Sequence, residues 1–270
     1  VNSIIEKTES GILKAWNGKK SVYHGYFMHE VTEYSKLGSN FIKPLAFKQI
    51  PLPLFLEAQM HAMRLIDDQG KAKKLYQGVR KSELFDKALK MYKVTAPLKS
   101  MPEEIGRCRI FAPGWLENES VWLHMEYKYL LELLNAGLYD EFYTDFANVL
   151  IPFQKPQQYG RSILENSSFI VSSAFPDKKL HGNGFVARLS GSTAEFLGIW
   201  LKINLGPKPF FLNEKNELNL RFNPILHKRL FDKKGEYSFN FLSRIKVTYH
   251  NPKKKDTFGK NPARIRQISF

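Results

Sequence analysis

The chain has 270 residues, 43% of them hydrophobic, and a formal net charge of +15 at pH 7. That length and apolar content suit one large or two smaller globular domains with a real core, which excludes a disordered chain. Its single cysteine, Cys108, excludes an internal disulfide framework and a cysteine-based zinc or iron–sulfur site, and it fits a reducing cytoplasm.

Taken in order, the chain opens on Val1 with no charged, apolar and small-residue series behind it, and it holds no run of about 20 apolar residues. Neither a signal peptide nor a membrane span is expected, and the chain reads as a piece of a longer cytoplasmic protein. "LPLFLEAQMHAMRLID" (52–67) places Leu54, Leu56, Met60, Met63 and Leu65 close to one helical stripe. "KSELFDKALKMYK" (81–93) does the same with Leu84, Phe85, Ala88, Leu89 and Tyr92. Further helices are predicted over 117–138, closed by Gly137, over 140–153, and over 192–203 ahead of Gly206-Pro207. Five helices in series predict a mainly α array of antiparallel hairpins through residues 1–205, and the absence of a fixed-period repeat disfavours a solenoid.

After Pro207 the texture changes. "ELNLRF" (217–222), "YSFNFL" (237–242) and "RIKVTYH" (244–250) alternate and are rich in β-formers, which predicts a small antiparallel β domain over 206–270. From residue 206 onward 15 Lys and Arg stand against 5 Asp and Glu. The densest run, "NPKKKDTFGKNPARIR" (251–266), could touch nucleic acid or an anionic glycan. It lacks the regular aromatics of a single-strand binding platform, so a solvated loop or β-edge is the expected reading.

Three stretches could carry chemistry. In "RLSGSTAEFLGIW" (188–200), Ser192 and Glu195 fit the capping-box spacing, which accounts for them as a helix start. The same geometry aims backbone N–H groups out of a positive helix end, a ready site for phosphate, with Gly191 allowing close approach and Ser190 adding a hydroxyl. Both readings stand on residues alone. In "GWLENESVWLHMEYKYL" (114–130), Glu117, Glu119, His124 and Glu126 crowd around Trp115 and Trp122, which serve as core or as platforms for a sugar ring. In "GRSILENSSFIVSSAF" (160–175), serines, Glu165 and Asn166 interrupt an apolar run, so they bond among themselves or line a wet cavity. There is no Walker A, G-x-G-x-x-G, H-E-x-x-H or G-x-S-x-G motif, so nucleotide and serine-hydrolase chemistry have no support.

In their order and spacing these stretches resemble the cellobiose-phosphorylase family of inverting glycoside phosphorylases, particularly its large β-glucan-oligosaccharide-type relatives. "LENESVWLH" (116–124) stands where the family has a K-E-N-G-G-I-F-C-H-like segment, and "LSGSTAEF" (189–196) where it has L-T-G-T-A-A-W. The likeness covers residues 110–204 and, more loosely, the tail. It implies the C-terminal part of an (α/α)6 barrel followed by a small β domain. It also implies phosphate binding by His124, Ser190, Gly191 and Ser192, and sugar binding by Glu117, Trp115, Glu165 and Asn166. Serine for threonine at 190 keeps the hydroxyl, whereas Leu116 replaces the family's sugar-side lysine.

The implied reaction cleaves β-glucosides or β-glucan oligosaccharides with inorganic phosphate, giving a sugar 1-phosphate with inversion. The partners are then an oligosaccharide and phosphate, with no cofactor, metal or membrane; nucleic acid is not expected, and a homodimer is left open. The family's general acid lies in a Trp-x-Asp setting that this chain lacks, so no catalytic residue is assigned and the acid is expected upstream of residue 1. Two alternatives remain at this point: a hydrolase of the same fold, and a non-catalytic protein that binds glycan or nucleic acid through the basic tail.

Overall fold

A computed structural model describes residues 2–187 and 190–269, with the side chains of Ala187 and Ser190 outside the description. Among these residues are seven α-helices: α1 (Asn2–Ala15), α2 (Leu56–Leu65), α3 (Gln69–Lys81), α4 (Leu123–Asn135), α5 (Tyr139–Val149), α6 (Pro156–Tyr159) and α7 (Ser190–Leu205). Interspersed with them are six small antiparallel sheets, five of two strands and one of three. The expectation of a mainly α chain ending an (α/α)6 barrel is therefore corrected: helix and strand alternate along the chain, and no such barrel is evident.

Two segments make most of the difference. Residues 81–93 carry a helical stripe, but the Asp86 carboxylate accepts the N–H groups of Ala88 and Leu89 and so closes a turn that Lys90 completes at φ +58°. Phe85 and Asp86 then pair with Tyr92 and Met91 as a short hairpin. A side chain that captures backbone amides offers the chain an alternative to helix. Earlier, Phe27–Leu37 and Phe41–Pro51 form a long hairpin, with Val31 opposite Phe47 and Met28 opposite Ile50. Its aromatic and β-branched residues favour pairing over helix.

Helix α3 escapes the hydrophobic stripe because its exposed face is almost all Lys, Gln and Arg. Asp68 caps it by accepting from the Lys71 N–H at 2.7 Å, and Ala72, Leu75, Tyr76 and Val79 are buried. In the tail, Glu236–Phe241 pairs with Ile245–His250, and Phe210–Leu212 with Leu218–Leu220.

Helix α4 lies at the centre. Leu123, Tyr127, Leu130 and Leu133 are fully buried, each contributing about 1.5–3 kcal/mol of apolar burial, and α2, α5 and α7 pack around it. It ends in a Schellman turn: the N–H of Leu138 reaches the Leu133 carbonyl and that of Gly137, at φ +71°, the Leu134 carbonyl. Buried polar links tie its neighbours together. Asp145 of α5 accepts from Tyr92 at 2.5 Å and Tyr76 at 3.1 Å, and it pairs with Arg80, whose guanidinium stacks on Phe85. Burial pushes the Asp145 carboxyl up, and its three donors pull it back.

Glu126 on α4 is fully buried, with one carboxyl oxygen accepting the Tyr92 N–H at 2.7 Å and the other without a partner among the described residues. Burial raises its carboxyl well above the usual range, with Asp145 and Asp86 adding to the effect. A raised carboxyl favours the neutral form, so its contribution is complete below the unfolded value and is lost as pH rises through the folded one. Glu126→Gln is therefore expected to match the wild type at pH 4 and to exceed it at pH 8 by about 1 kcal/mol or more in denaturant unfolding. Lower stability than wild type at pH 8 would contradict the reading.

Candidate functional site

The three-stranded sheet sets the geometry. Val121–Trp122 and Gly184–Ala187 both pair antiparallel with the middle strand Ser167–Ile170, so these two outer strands run in the same direction. The first leads directly into α4, and the second leads towards α7 across residues 188 and 189, which lie outside the described residues. Two helices launched the same way from the two outer strands of one small sheet begin at the same end.

Helix α2 shares that direction. Near the C-terminal ends, Arg64 donates to Glu132 at 2.8 and 2.5 Å, and Gly198 of α7 lies against Leu131. At the N-terminal ends, Glu57 of α2 and Gly191 and Glu195 of α7 face His124. Neither α2 nor α4 has a side-chain cap. Three positive helix ends therefore point to one side of the molecule, around one imidazole.

His124 is seated against Gly191. A methyl group built on Gly191 would lie 2.8 Å from Cε1 and Nδ1 of the ring and 2.9 Å from Nε2. The ring is 30% exposed, and its Nε2 stands 3.9 Å from Oε1 of Glu195. Burial and then Lys128 lower the imidazole's proton affinity, while Glu195 and Glu57 oppose them. The residue is thus biased towards neutral imidazole at neutral pH.

The four phosphate candidates fare differently. His124 and Gly191 come together as van der Waals neighbours. Ser192 is fully buried inside the first turn of α7, because the helix begins at Ser190 rather than at a Ser192 cap. Glu195 accordingly lies a turn further in and faces His124 instead of reaching back to a cap. The side chain of Ser190 is outside the described residues, as is Leu189 of the same motif. The first amides of α7 belong to the turn in which a helix offers no internal acceptor.

The sugar candidates are more dispersed. Trp115 packs its ring against Phe169, Phe175 and Phe185 at centroid distances of 5.1, 5.5 and 4.7 Å, an aromatic block beside the sheet. The carboxylate of Glu117 pairs with Arg107 at 2.9 Å and keeps one buried oxygen without a partner among the described residues. Glu165 is exposed and pairs with Arg161 at 3.4 Å. Asn166 accepts from the Tyr127 hydroxyl at 3.1 Å, and Tyr127 also meets Phe196 of α7, so this residue joins the α4–α7 seam. The loop bearing Trp115 and Glu117 reaches the strand that leads into α4 through the Trp122 indole, which donates to the Leu116 carbonyl at 2.9 Å. Leu116 and Glu119 hold φ of +46° and +63°, conformations that cost of order 1–3 kcal/mol each and gather at functional loops.

Lys128, Glu195 and Glu57 complete the surroundings of His124. The first two were legible, since Lys128 follows His124, and Glu195 follows Gly191, by one helical turn. Glu57 comes from a distant helix and left no sequence signal. Among the described residues no group of three or more His, Cys, Asp or Glu could hold a metal ion, and no helix is long and apolar enough to cross a membrane. No protein-family model matches this chain, and no curated protein matches it.

Gly191→Ala tests the contact. Alanine gains about 1 kcal/mol of helix propensity over glycine, while its methyl group must displace a ring that can swing. Thermal stability is expected to change by no more than about 1 kcal/mol, and the His124 imidazole resonances are expected to move far more than those of His24 or His181. Unmoved His124 resonances would disprove the packing.

Proposed function

We propose that the chain carries the phosphate side of an inverting glycoside phosphorylase acting on β-glucosides or β-glucan oligosaccharides. The observation that supports this most is the contact of His124 with Gly191, two residues that the resemblance assigns separately to one phosphate and that lie far apart in the sequence. The aligned N-terminal ends of α2, α4 and α7 give the same spot a positive field, and Lys128 adds a formal charge. The hydroxyl of Ser190 and the first amides of α7 complete the donor set on this reading.

In the reaction, a phosphate oxygen attacks the anomeric carbon from the face opposite the leaving group. The C–O bond to the phosphate forms as the glycosidic C–O bond breaks, and the departing oxygen takes a proton from a carboxylic acid. The part assigned to this chain is to hold the anion in line with the sugar carbon using imidazole, hydroxyl and backbone donors. Glu117, Trp115, Glu165 and Asn166 form the sugar side of the proposal; no residue is assigned as the acid.

Isothermal titration with inorganic phosphate tests the reading. The wild-type chain is expected to bind saturably, and His124→Ala to weaken binding about tenfold or more, the loss of a hydrogen bond to a charged group. Equal binding by both, or binding instead lost on neutralising Lys253, Lys254 and Lys255, would overturn it.

A further inference from the structure

Resting on the phosphate reading, we infer that Glu195 is the positioning residue of this site, holding Nε2–H of His124 so that Nδ1–H is presented to the anion. Both ring nitrogens lie equally close to Gly191, and Nε2 is the one that faces a carboxylate. The ring lies flat against Gly191, so it cannot turn further into α7. Nε2 is the nitrogen that faces Oε1 of Glu195, at 3.9 Å, with the carboxylate 21% and the imidazole 30% exposed. Nδ1 carries no hydrogen bond or ion pair among the described residues, which leaves it free for a ligand at the start of α7, the helix against which the ring is seated. A separation of 3.9 Å is loose for a hydrogen bond, and such contacts tighten when a ligand arrives.

A carboxylate beside an anion pocket needs a reason, since like charges oppose binding. The pair supplies one. Neutral imidazole has a single N–H, and can satisfy either the carboxylate or the phosphate. Imidazolium has two and bridges both, so the incoming anion and Glu195 together favour uptake of one proton by the ring. Carboxylate, imidazole and oxyanion then form a chain of charge-assisted hydrogen bonds, the arrangement by which a second group fixes the tautomer and orientation of a working histidine.

The other charged groups facing the ring set the balance. Lys128, one turn along α4, opposes protonation. Glu57, from α2, supports it at longer range, and is itself shared with His61 at 3.7 Å and the Tyr26 hydroxyl at 3.5 Å. Among the described residues Glu195 alone brings a carboxylate within 4 Å of a ring nitrogen, so its removal leaves the orienting role unfilled.

The test is Glu195→Gln, with Glu195→Asp as the conservative control, read by the imidazole titration of His124 in NMR spectra and by phosphate affinity across pH. The glutamine variant is expected to lower the pH at which the ring protonates and to move the pH profile of phosphate binding down with it. Affinity at neutral pH should weaken about two- to fivefold, the range of a partly exposed ion pair. The aspartate variant should recover part of both effects. Binding whose pH profile is unmoved in Glu195→Gln, or which strengthens at every pH, overturns the inference and leaves the phosphate reading intact. A wild-type chain that binds no phosphate at any pH overturns both.

Discussion

The seating of the His124 ring on Gly191 is the constraint from which the rest of the site follows. As the ring stands there is no room between them for a methyl group, so α4 and α7 meet closely at their first turns. That meeting is itself dictated by the three-stranded sheet, whose outer strands run parallel to each other and feed the two helices from one end. Burial of α4 by α2, α5 and α7 makes the arrangement stiff, and the Asp145 cluster locks α3 and α5 to the hairpin beneath. The proposed site lies where the N-terminal ends of α2, α4 and α7 come to one side of the molecule.

The electrostatics of the region divide into two kinds of carboxylate. Glu126 and Asp145 are interior groups, raised by burial and held by backbone or phenolic donors, and they serve the core. Glu57 and Glu195 are partly exposed and surround the imidazole, where they counter the effect of burial and Lys128. One histidine is thus poised between opposing influences within reach of uncapped helix ends, and a small change in its neighbours shifts its charge.

The fold was legible only in part, and of the proposed site residues the structure brings His124 and Gly191 into contact. His124 and Gly191 were named from motif order alone, and their contact is a long-range fact that no local pattern contains. Helices α2, α4, α5 and α7 and the strands Leu218–Leu220, Glu236–Phe241 and Ile245–His250 followed from periodicity, although α4 begins at Leu123 rather than at 117 and the strand Phe210–Leu212 was not expected. The segment 81–93 misled because its apolar spacing is helical while Asp86, by taking two amides, makes a turn cheaper than a helix. Helix α3 was missed because only four apolar residues support it. The long hairpin was missed because both of its faces are exposed and its alternation is broken by a register shift near Glu33. The capping box at Ser192 matched the spacing but not the position, since α7 starts at Ser190 and the capping residue itself lies outside the described residues.

The most direct measurement is the location of a phosphate ion bound to the crystalline protein. The account predicts one tetrahedral anion within about 3 Å of Nδ1 of His124 and of backbone amides at Gly191 or Ser192. An anion bound only among Lys253, Lys254 and Lys255, with His124 untouched, would contradict it.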